Sequence, residues 1–232
     1  MIGSLKNWMK KRDVASWRTA VAAVRREYTG EPLTEEYAGD DPFILFEKWY
    51  ADAAEQSLFD ANSFVLSTAA DGKPRSRVVL LKGFDETGFV FYTNYDSDKG
   101  REIEVNPHVC VNFNWPESFR QLRIEGKAER ISDEESDAYF NSRPFESNLS
   151  AVVSPQSRTV NSREELELAQ SRLREEHDKG GEPLKRPSNW GGYRIVPDTY
   201  EFWQGRTGRL HDRITFEKSS DGKGWRKSRL AP

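Results

Sequence analysis

The sequence of 232 residues contains a single cysteine, three histidines and two methionines. One thiol excludes an intrachain disulfide and fits a reducing compartment. That thiol, Cys110, sits in the alternating segment His108–Phe113 and reads as a packing cysteine rather than a nucleophile. His108, His177 and His211 are isolated along the chain, so no zinc-ligand spacing exists and no metal is expected. No apolar run approaches the ~20 residues of a membrane span. The opening Met1–Lys6 lacks the apolar core of a secretory signal. A cytoplasmic protein without a membrane partner is therefore expected. Neither a Walker loop nor a dinucleotide fingerprint is present. No charge of one sign predominates: 35 Lys and Arg face 38 Asp and Glu, a net charge of -3. That balance gives no overall drive toward nucleic acid, which is not an expected partner.

Apolar residues are also scarce, at 36%, and mean hydropathy is -0.82. Such polarity borders on disorder. Against it stand 13 Phe, 8 Tyr and 7 Trp, which bury large areas per side chain. The expectation is a single folded domain with a modest core, supplemented by a subunit interface.

Periodicity organises the chain. Leu5, Trp8, Met9, Val14, Trp17, Val21 and Val24 recur at helical spacing over 5–28. Residues 29–41 read as a loop. Asp41-Pro42 supplies an N-cap and first-turn proline for a second helix. From residue 63 the period becomes two. Strands are expected at 63–68, 75–84, 89–93, 108–115, 119–131, 192–196, 200–204, 213–218 and 224–230. A short helix is expected over 98–105. Two Ser-x-x-Glu boxes, at Ser132 and Ser162, open helices to about Asn141 and Asp178. Short strands joined by tight turns predict a mainly β, antiparallel sheet or small barrel with flanking helices, not a βαβ fold.

Several segments carry candidate chemistry. Arg77 and Lys82 lie near opposite ends of an apolar strand, some ~16 Å apart at ~3.3 Å per residue, a span one cofactor can bridge. Two solvated charges are the competing reading. Tyr92-Thr93-Asn94 with Ser97 and Lys99 surrounds a strand-to-helix junction, where amide N–H groups can meet a phosphate. An ordinary polar turn also accounts for it. Gln121, flanked by Arg120 and Arg123, can donate to and accept from a flavin ring, or simply face solvent. Tyr139 and Arg143 share a helix face if the helix reaches that far, and with Ser147 can converge on a phosphate. An arginine complementing the helix dipole is the alternative. The densest run is Phe202–Arg213, in which strand alternation places Arg209, His211 and Arg213 on one side. Such a face suits an anionic aromatic ligand, while a salt-bridged hairpin is the structural alternative.

Taken in order, these segments resemble the pyridoxine/pyridoxamine 5′-phosphate oxidase family. The residues carrying the likeness include Arg25-Arg26-Glu27-Tyr28, Arg77–Lys82, Tyr92-Thr93-Asn94, Gly126–Arg130 and Ser142-Arg143-Pro144. They continue through Gln156-Ser157, Trp190-Gly191-Gly192, Phe202–Gly205, Arg209–Arg213 and the terminal Arg229-Leu230-Ala231-Pro232. The resemblance implies one FMN-binding split β-barrel domain over 1–232, with a helical N-terminal extension over about 1–58. It also implies a homodimer with FMN at the interface.

By the same resemblance, Arg77 and Lys99 bind the FMN phosphate. Val78, Val79, Leu80, Lys82, Tyr92, Thr93 and Gln121 line the cofactor site, and Gln156, Ser157, Trp203 and Arg213 complete it, some from the partner subunit. Lys82, Tyr139, Arg143 and Ser147 hold the substrate phosphate. Arg209, Leu210 and His211 contact the pyridine ring, with Arg209 and His211 as the catalytic pair. Arg25–Tyr28 covers the site. The implied reaction oxidises pyridoxamine or pyridoxine 5′-phosphate to pyridoxal 5′-phosphate and reduces oxygen to hydrogen peroxide. One departure is visible: the family often has Arg-Lys where this chain has Asp98-Lys99, which puts an anion beside the expected phosphate. A related split-barrel flavin or deazaflavin enzyme, and a non-catalytic pyridoxal-phosphate or flavin binder, are the competing readings.

Overall fold

The computed structural model describes residues 20–57, 61–180 and 183–232. Where the period turns to two, nine strands follow. They are β1 Ser63–Ala70, β2 Lys73–Leu80, β3 Gly83–Asp85, β4 Gly88–Asn94, β5 His108–Trp115, β6 Arg120–Arg130, β7 Trp190–Gln204, β8 Asp212–Lys218 and β9 Trp225–Arg229. Every pairing is antiparallel, in the order β2-β1-β5-β6-β7-β4-β3, with β8 on β7 and β9 on β8.

The two ends of that order, β2 and β3, are joined by only Leu81 and Lys82. The sheet must therefore curl until its edges meet. The link is fixed from both sides: Leu81 N–H donates to the Asn62 carbonyl and Lys82 N–H to the Val90 carbonyl, each at 2.8 Å. The expected continuous strand 75–84 is thus two strands with a crossing between them. Closure removes most exposed edges, the usual risk of an open sheet.

The inner face follows the alternation. Phe64, Leu66, Val111, Phe113, Leu122, Ile124, Phe202 and Phe216 are buried at 2% or less. Helix α2, Pro42–Gln56, packs into the same cluster. Asp41 caps it by accepting from Phe43 N–H, as its sequence predicts. Phe46 meets Phe89 edge-on at 4.8 Å, and Trp49 meets Phe202 at 5.1 Å. Each such burial contributes about 1.5–3 kcal/mol before chain entropy is charged against it.

Strand β7 is one element where two were expected. It pairs β4 through Ile195 and β8 from Thr199, so Pro197 falls where that edge changes partner and its missing N–H is not called on. On the other edge the register with β6 shifts at Glu125/Gly126. A side chain at Gly126 would meet the Val196 carbonyl at 2.1 Å, so the irregularity requires glycine.

The helices mostly follow their caps. They are α1 Glu35–Ala38, α3 Asp98–Val105, α4 Asp133–Ser142, α5 Phe145–Val153 and α6 Arg163–Asp178. Ser132 and Glu135 form a full capping box, and Ser162 caps α6. Of the expected helix over 5–28, residues 1–19 lie outside the described part. Residues 20–23 are helical, but Val24–Tyr28 are not. There the chain is drawn onto the barrel, with the Tyr28 ring 5.7 Å from both Phe119 and Trp203. The 29–41 loop contains the single turn α1, capped by Thr34. Helix α5 was not expected. Among the described residues, no helix is long and apolar enough to cross a membrane.

Candidate active site

A cavity of about 630 Å³ opens beside the β2–β3 crossing. Its walls bring together Arg77, Val78, Val79 and Leu80 from β2, Lys82 from the crossing, Tyr92 and Thr93 from β4, and Lys99 from α3. Tyr139 and Arg143 come from the end of α4, Ser147 from α5, and Gln156 and Ser157 from the segment after it. Widely separated residues singled out in the sequence thus share one space.

One part of the cavity is a cationic cradle. Ser97 caps α3 by accepting from Gly100 N–H at 3.3 Å, which places Lys99 in the first turn. Lys99 Nζ donates to Thr93 Oγ1 and Gln156 Oε1, each at 3.1 Å, and weakly to Ser97 Oγ. These partners are neutral oxygens. Burial, then the nearby Arg77 charge, push the Lys99 pKa below the ordinary lysine value. Arg77 is held from behind: Nη2 donates to Glu102 Oε2 at 2.8 Å and Nη1 to Thr68 Oγ1 at 2.6 Å. Two fixed cations with depressed lysine basicity form a place where an anion is favoured. Asp98 does not line this cavity. Its carboxylate is tied to Arg101, three residues on, and borders an adjoining depression.

The second part is aromatic and basic. Helix α4 stops at Ser142, so Arg143 is its extended C-cap (φ -78°, ψ 153°) and does not share a helix face with Tyr139. Both still reach the cavity. Arg143 Nη2 donates to the Ser147 carbonyl at 3.0 Å, and its guanidinium lies 4.6 Å over the Trp190 ring. Nη1 is buried with no partner among the described residues. Burial lowers the Arg143 pKa, opposed by Tyr139. Tyr92 and Tyr139 stack at 3.8 Å. Burial, with Tyr139 and Glu135 adding to it, pushes the Tyr92 phenol up to about 12. Burial likewise raises Tyr139, so both phenols remain donors near neutral pH.

Gln121, Trp203, Arg209, Leu210, His211 and Arg213 do not line this cavity. Gln121, Trp203 and Arg213 are register partners across β6, β7 and β8. The same pairing, followed through Arg123, Asn112 and Val65 to Val78, puts them on the outer face of the sheet. Arg213 is spent on Glu201 at 2.7 Å. The alternation expected from Arg209 is absent. Thr207–Arg209 is a 3-10 turn, with Gly208 and Arg209 at φ 64° and 61°, and β8 begins only at Asp212. Arg209 and Leu210 are exposed. His211 Nδ1 accepts from Arg206 N–H at 3.0 Å, and its ring packs on Tyr28 and Trp203. The residues form two groups within one chain.

Asn94, part of the expected phosphate-binding junction, also lines the cavity, as do Ser150, Ala151, Ser154 and Trp190, to which sequence reasoning gave no role. Three of them belong to α5 or its end, whose weak apolar spacing behind Pro144 hid it. Trp190 was visible as an aromatic before Gly191-Gly192.

A family described as pyridoxamine 5′-phosphate oxidase matches residues 50–177, and a pyridoxine 5′-phosphate oxidase C-terminal dimerisation region matches 190–232. A pyridoxine/pyridoxamine 5′-phosphate oxidase of Rubrobacter xylanophilus is 51% identical, over 93% of this chain and 98% of that protein. One from Legionella pneumophila (strain Lens) is 48% identical, over 92% and 98%. Among solved structures, PhzG from Burkholderia lata 383, in complex with tetrahydrophenazine-1-carboxylic acid, superposes with a TM-score of 0.80. It is 29% identical, over 88% of this chain and all of that one. A pyridoxamine 5′-phosphate oxidase-related, FMN-binding protein from Nostoc punctiforme PCC 73102 gives a TM-score of 0.66 at 18% identity, over 81% and 97%, and supports the fold.

Proposed function

The chain belongs to the pyridoxamine 5′-phosphate oxidase family, and we infer that it oxidises pyridoxamine and pyridoxine 5′-phosphate to pyridoxal 5′-phosphate. FMN is the cofactor and oxygen the electron acceptor. The observation that carries this reading is one cavity with two separate sets of anion-seeking groups, Arg77 with Lys99, and Arg143 with its unpartnered Nη1. A phosphorylated cofactor beside a phosphorylated substrate needs two such sets. The volume also falls in the ~300–1,000 Å³ range of small-molecule sites.

The residues fit FMN. Arg77 and Lys99 hold its phosphate, assisted by Thr93, Gln156 and Ser157. The β2 residues Val78–Leu80 and Tyr92 line its ring. When bound, FMN supplies the two-electron acceptor that takes a hydride from the substrate carbon and returns the electrons to oxygen. The chain's own part is to bind and orient. Arg143, Lys82, Tyr139 and Ser147 hold the substrate phosphate, with the Tyr139 phenol, protonated near neutral pH as an ordinary tyrosine is, available to donate. Asp98 is half exposed and paired with Arg101, but it borders a depression shared with Arg77, Lys99 and Ser157, so in our reading the Arg101 pair offsets part of the charge that its sequence position brings near the phosphate.

The match to a dimerisation region supports a homodimer. In our reading the outer sheet face, which carries exposed Val78 and Leu80 on β2 and, several strands away, Trp203 and Arg213 on β7 and β8, meets a second copy. The partner subunit's Arg209, His211, Trp203 and Arg213 then complete each site, with FMN at the interface. This explains why two residue groups stand apart in one chain, and why so polar a sequence leaves Val78 65% exposed.

The test is a visible spectrum. The FMN-loaded protein, mixed with pyridoxamine 5′-phosphate without oxygen, should bleach. Air should restore the colour and release peroxide. A flavin that stays oxidised under saturating substrate would overturn the assignment of substrate. Failure to bind FMN would overturn the cofactor site.

A further inference from the structure

Arg77 and Arg143 are the two arginines of the cavity, and the chain holds them in opposite ways. Arg77 is paired with a carboxylate, that of Glu102. Among the described residues, no carboxylate pairs with Arg143. Its neighbours are the Ser147 carbonyl, the edge of the cavity, and the faces of Phe140 and Trp190 at 5.8 and 4.6 Å. An aromatic face attracts a guanidinium through its quadrupole without cancelling the charge. A carboxylate in that place would fix the side chain equally well but would repel an incoming dianion. We propose that Trp190 is a positioning residue for substrate phosphate, fixing Arg143 through its ring while leaving the guanidinium charge available, and that Arg186 in turn fixes Trp190.

Trp190 is itself held tightly. It is 6% exposed. Its ring lies parallel to Tyr92 at 5.5 Å and 14° and to Tyr139 at 6.3 Å and 3°, and Phe140 meets it edge-on. Its carbonyl accepts from Arg186 Nη1 at 2.7 Å. The rest of the Arg186 fork grips α4, with Nε on Asp137 at 2.5 Å and Nη2 on Asp133 at 2.7 Å. The Arg186 side chain is 8% exposed while Asp133 and Asp137 are 83% and 54% exposed, so the bond to the Trp190 carbonyl is the sheltered arm and the two carboxylate arms are partly screened. Helix α4, which ends in Tyr139 and Arg143, is thereby tied to the start of β7 at two levels: Arg186 at its first turns and the ring stack at its last. The fork of Arg143 gains a defined direction, and Nη1 is left for the substrate.

This inference rests on the reading that Arg143 binds substrate phosphate, and the experiment separates the two. Steady-state turnover of the FMN-loaded dimer is measured with pyridoxamine 5′-phosphate and with pyridoxamine, which has the same ring and no phosphate. Trp190→Leu keeps an apolar side chain but removes the quadrupole, at the cost of some packing volume. Losing a partly desolvated cation–π contact should raise KM for the phosphorylated substrate about ten-fold and cut the preference for phosphate by the same factor. The kcat at saturating FMN, with saturation verified by flavin fluorescence titration, should fall far less than KM rises. Trp190→Phe, which retains a ring, should recover most of the preference. An equal loss on both substrates, or a preference unchanged in Trp190→Leu, would overturn the role of Trp190. Arg143→Met is the reference: if it keeps the phosphate preference, the assignment of Arg143 is what fails. Should Trp190→Leu not fold, Arg186→Met decides. It loosens Trp190 without removing the ring, and should raise KM about three-fold on the phosphorylated substrate alone; no change there would overturn the proposal.

Discussion

Replacing Glu102 with alanine tests whether the cationic cradle is built around a buried anion. Glu102 is 6% exposed. Its Oε2 accepts from Arg77 at 2.8 Å and from Thr68 at 2.5 Å, and its Oε1 from Arg75 at 2.8 Å. Burial alone would raise its pKa, but the Thr68 and Arg77 bonds and the charges of Arg77 and Arg75 hold it below the usual carboxylate value. The Arg75 arm is half exposed, at 50%, and is worth at most about 1 kcal/mol after screening. The Arg77 arm, at 19%, is a sheltered charge-assisted bond worth about 1.5–3 kcal/mol. Together they give a destabilisation of about 2–4 kcal/mol, which at about 2–4 °C per kcal/mol for a domain of this size lowers Tm by roughly 4–16 °C. Because the folded pKa is depressed, this stability is present above the unfolded value of about 4.3 and is lost as pH falls through the folded value. The gap between wild type and Glu102→Ala in thermal unfolding without FMN should therefore be full near neutrality and shrink below about pH 4. Saturating FMN should raise Tm more in the variant, since Arg77 then lacks any other anion. A neutral-pH Tm within about 1 °C of wild type, or a gap that does not shrink in acid, would refute the reasoning.

Three further outcomes are expected. Lys99 has a lowered pKa, from burial first and Arg77 second, and only its protonated form attracts a phosphate. FMN affinity should fall as pH rises through that depressed value, short of the ordinary lysine range, and fluorescence titration of Lys99→Met should show the alkaline limb flattened. Arg209 is exposed on its turn, so Arg209→Ala should change stability by no more than about 0.5 kcal/mol while turnover with pyridoxamine 5′-phosphate drops about a hundred-fold; normal turnover would remove Arg209 from the site. Gly100 faces the Tyr95 backbone, where an added Cβ would lie 2.1 Å from the carbonyl oxygen. Gly100→Ala should displace α3, cost about 1–3 kcal/mol in a denaturant melt, and weaken FMN binding through the neighbouring Lys99.

What the sequence determined by itself is the part governed by neighbours along the chain. The alternation in Ser63–Ala70 and His108–Trp115 marks strands because each side chain must choose a face. Asp41-Pro42, Ser132 and Ser162 mark helix starts because their oxygens satisfy the first free amides. The ordered motifs also pointed to the residues that now line one cavity. Tertiary structure decided what depends on closure and long-range contact. The break at Leu81-Lys82 exists because the strand must cross from one end of the sheet to the other. The fusion of 190–204 into β7 depends on β6 running along it from Tyr193 to Gln204, across the point where the other edge changes partner, and the end of the N-terminal helix on Tyr28 finding Phe119 and Trp203. Helix α5 and the place of Trp190 beneath Arg143 belong here too, since neither has a local signal that outweighs Pro144 or the glycines after Trp190. The separation of Arg209 and His211 from Arg77 and Arg143 is the clearest case. Motif order cannot show it, because whether two segments meet depends on how the sheet closes and which face it leaves open to a second subunit.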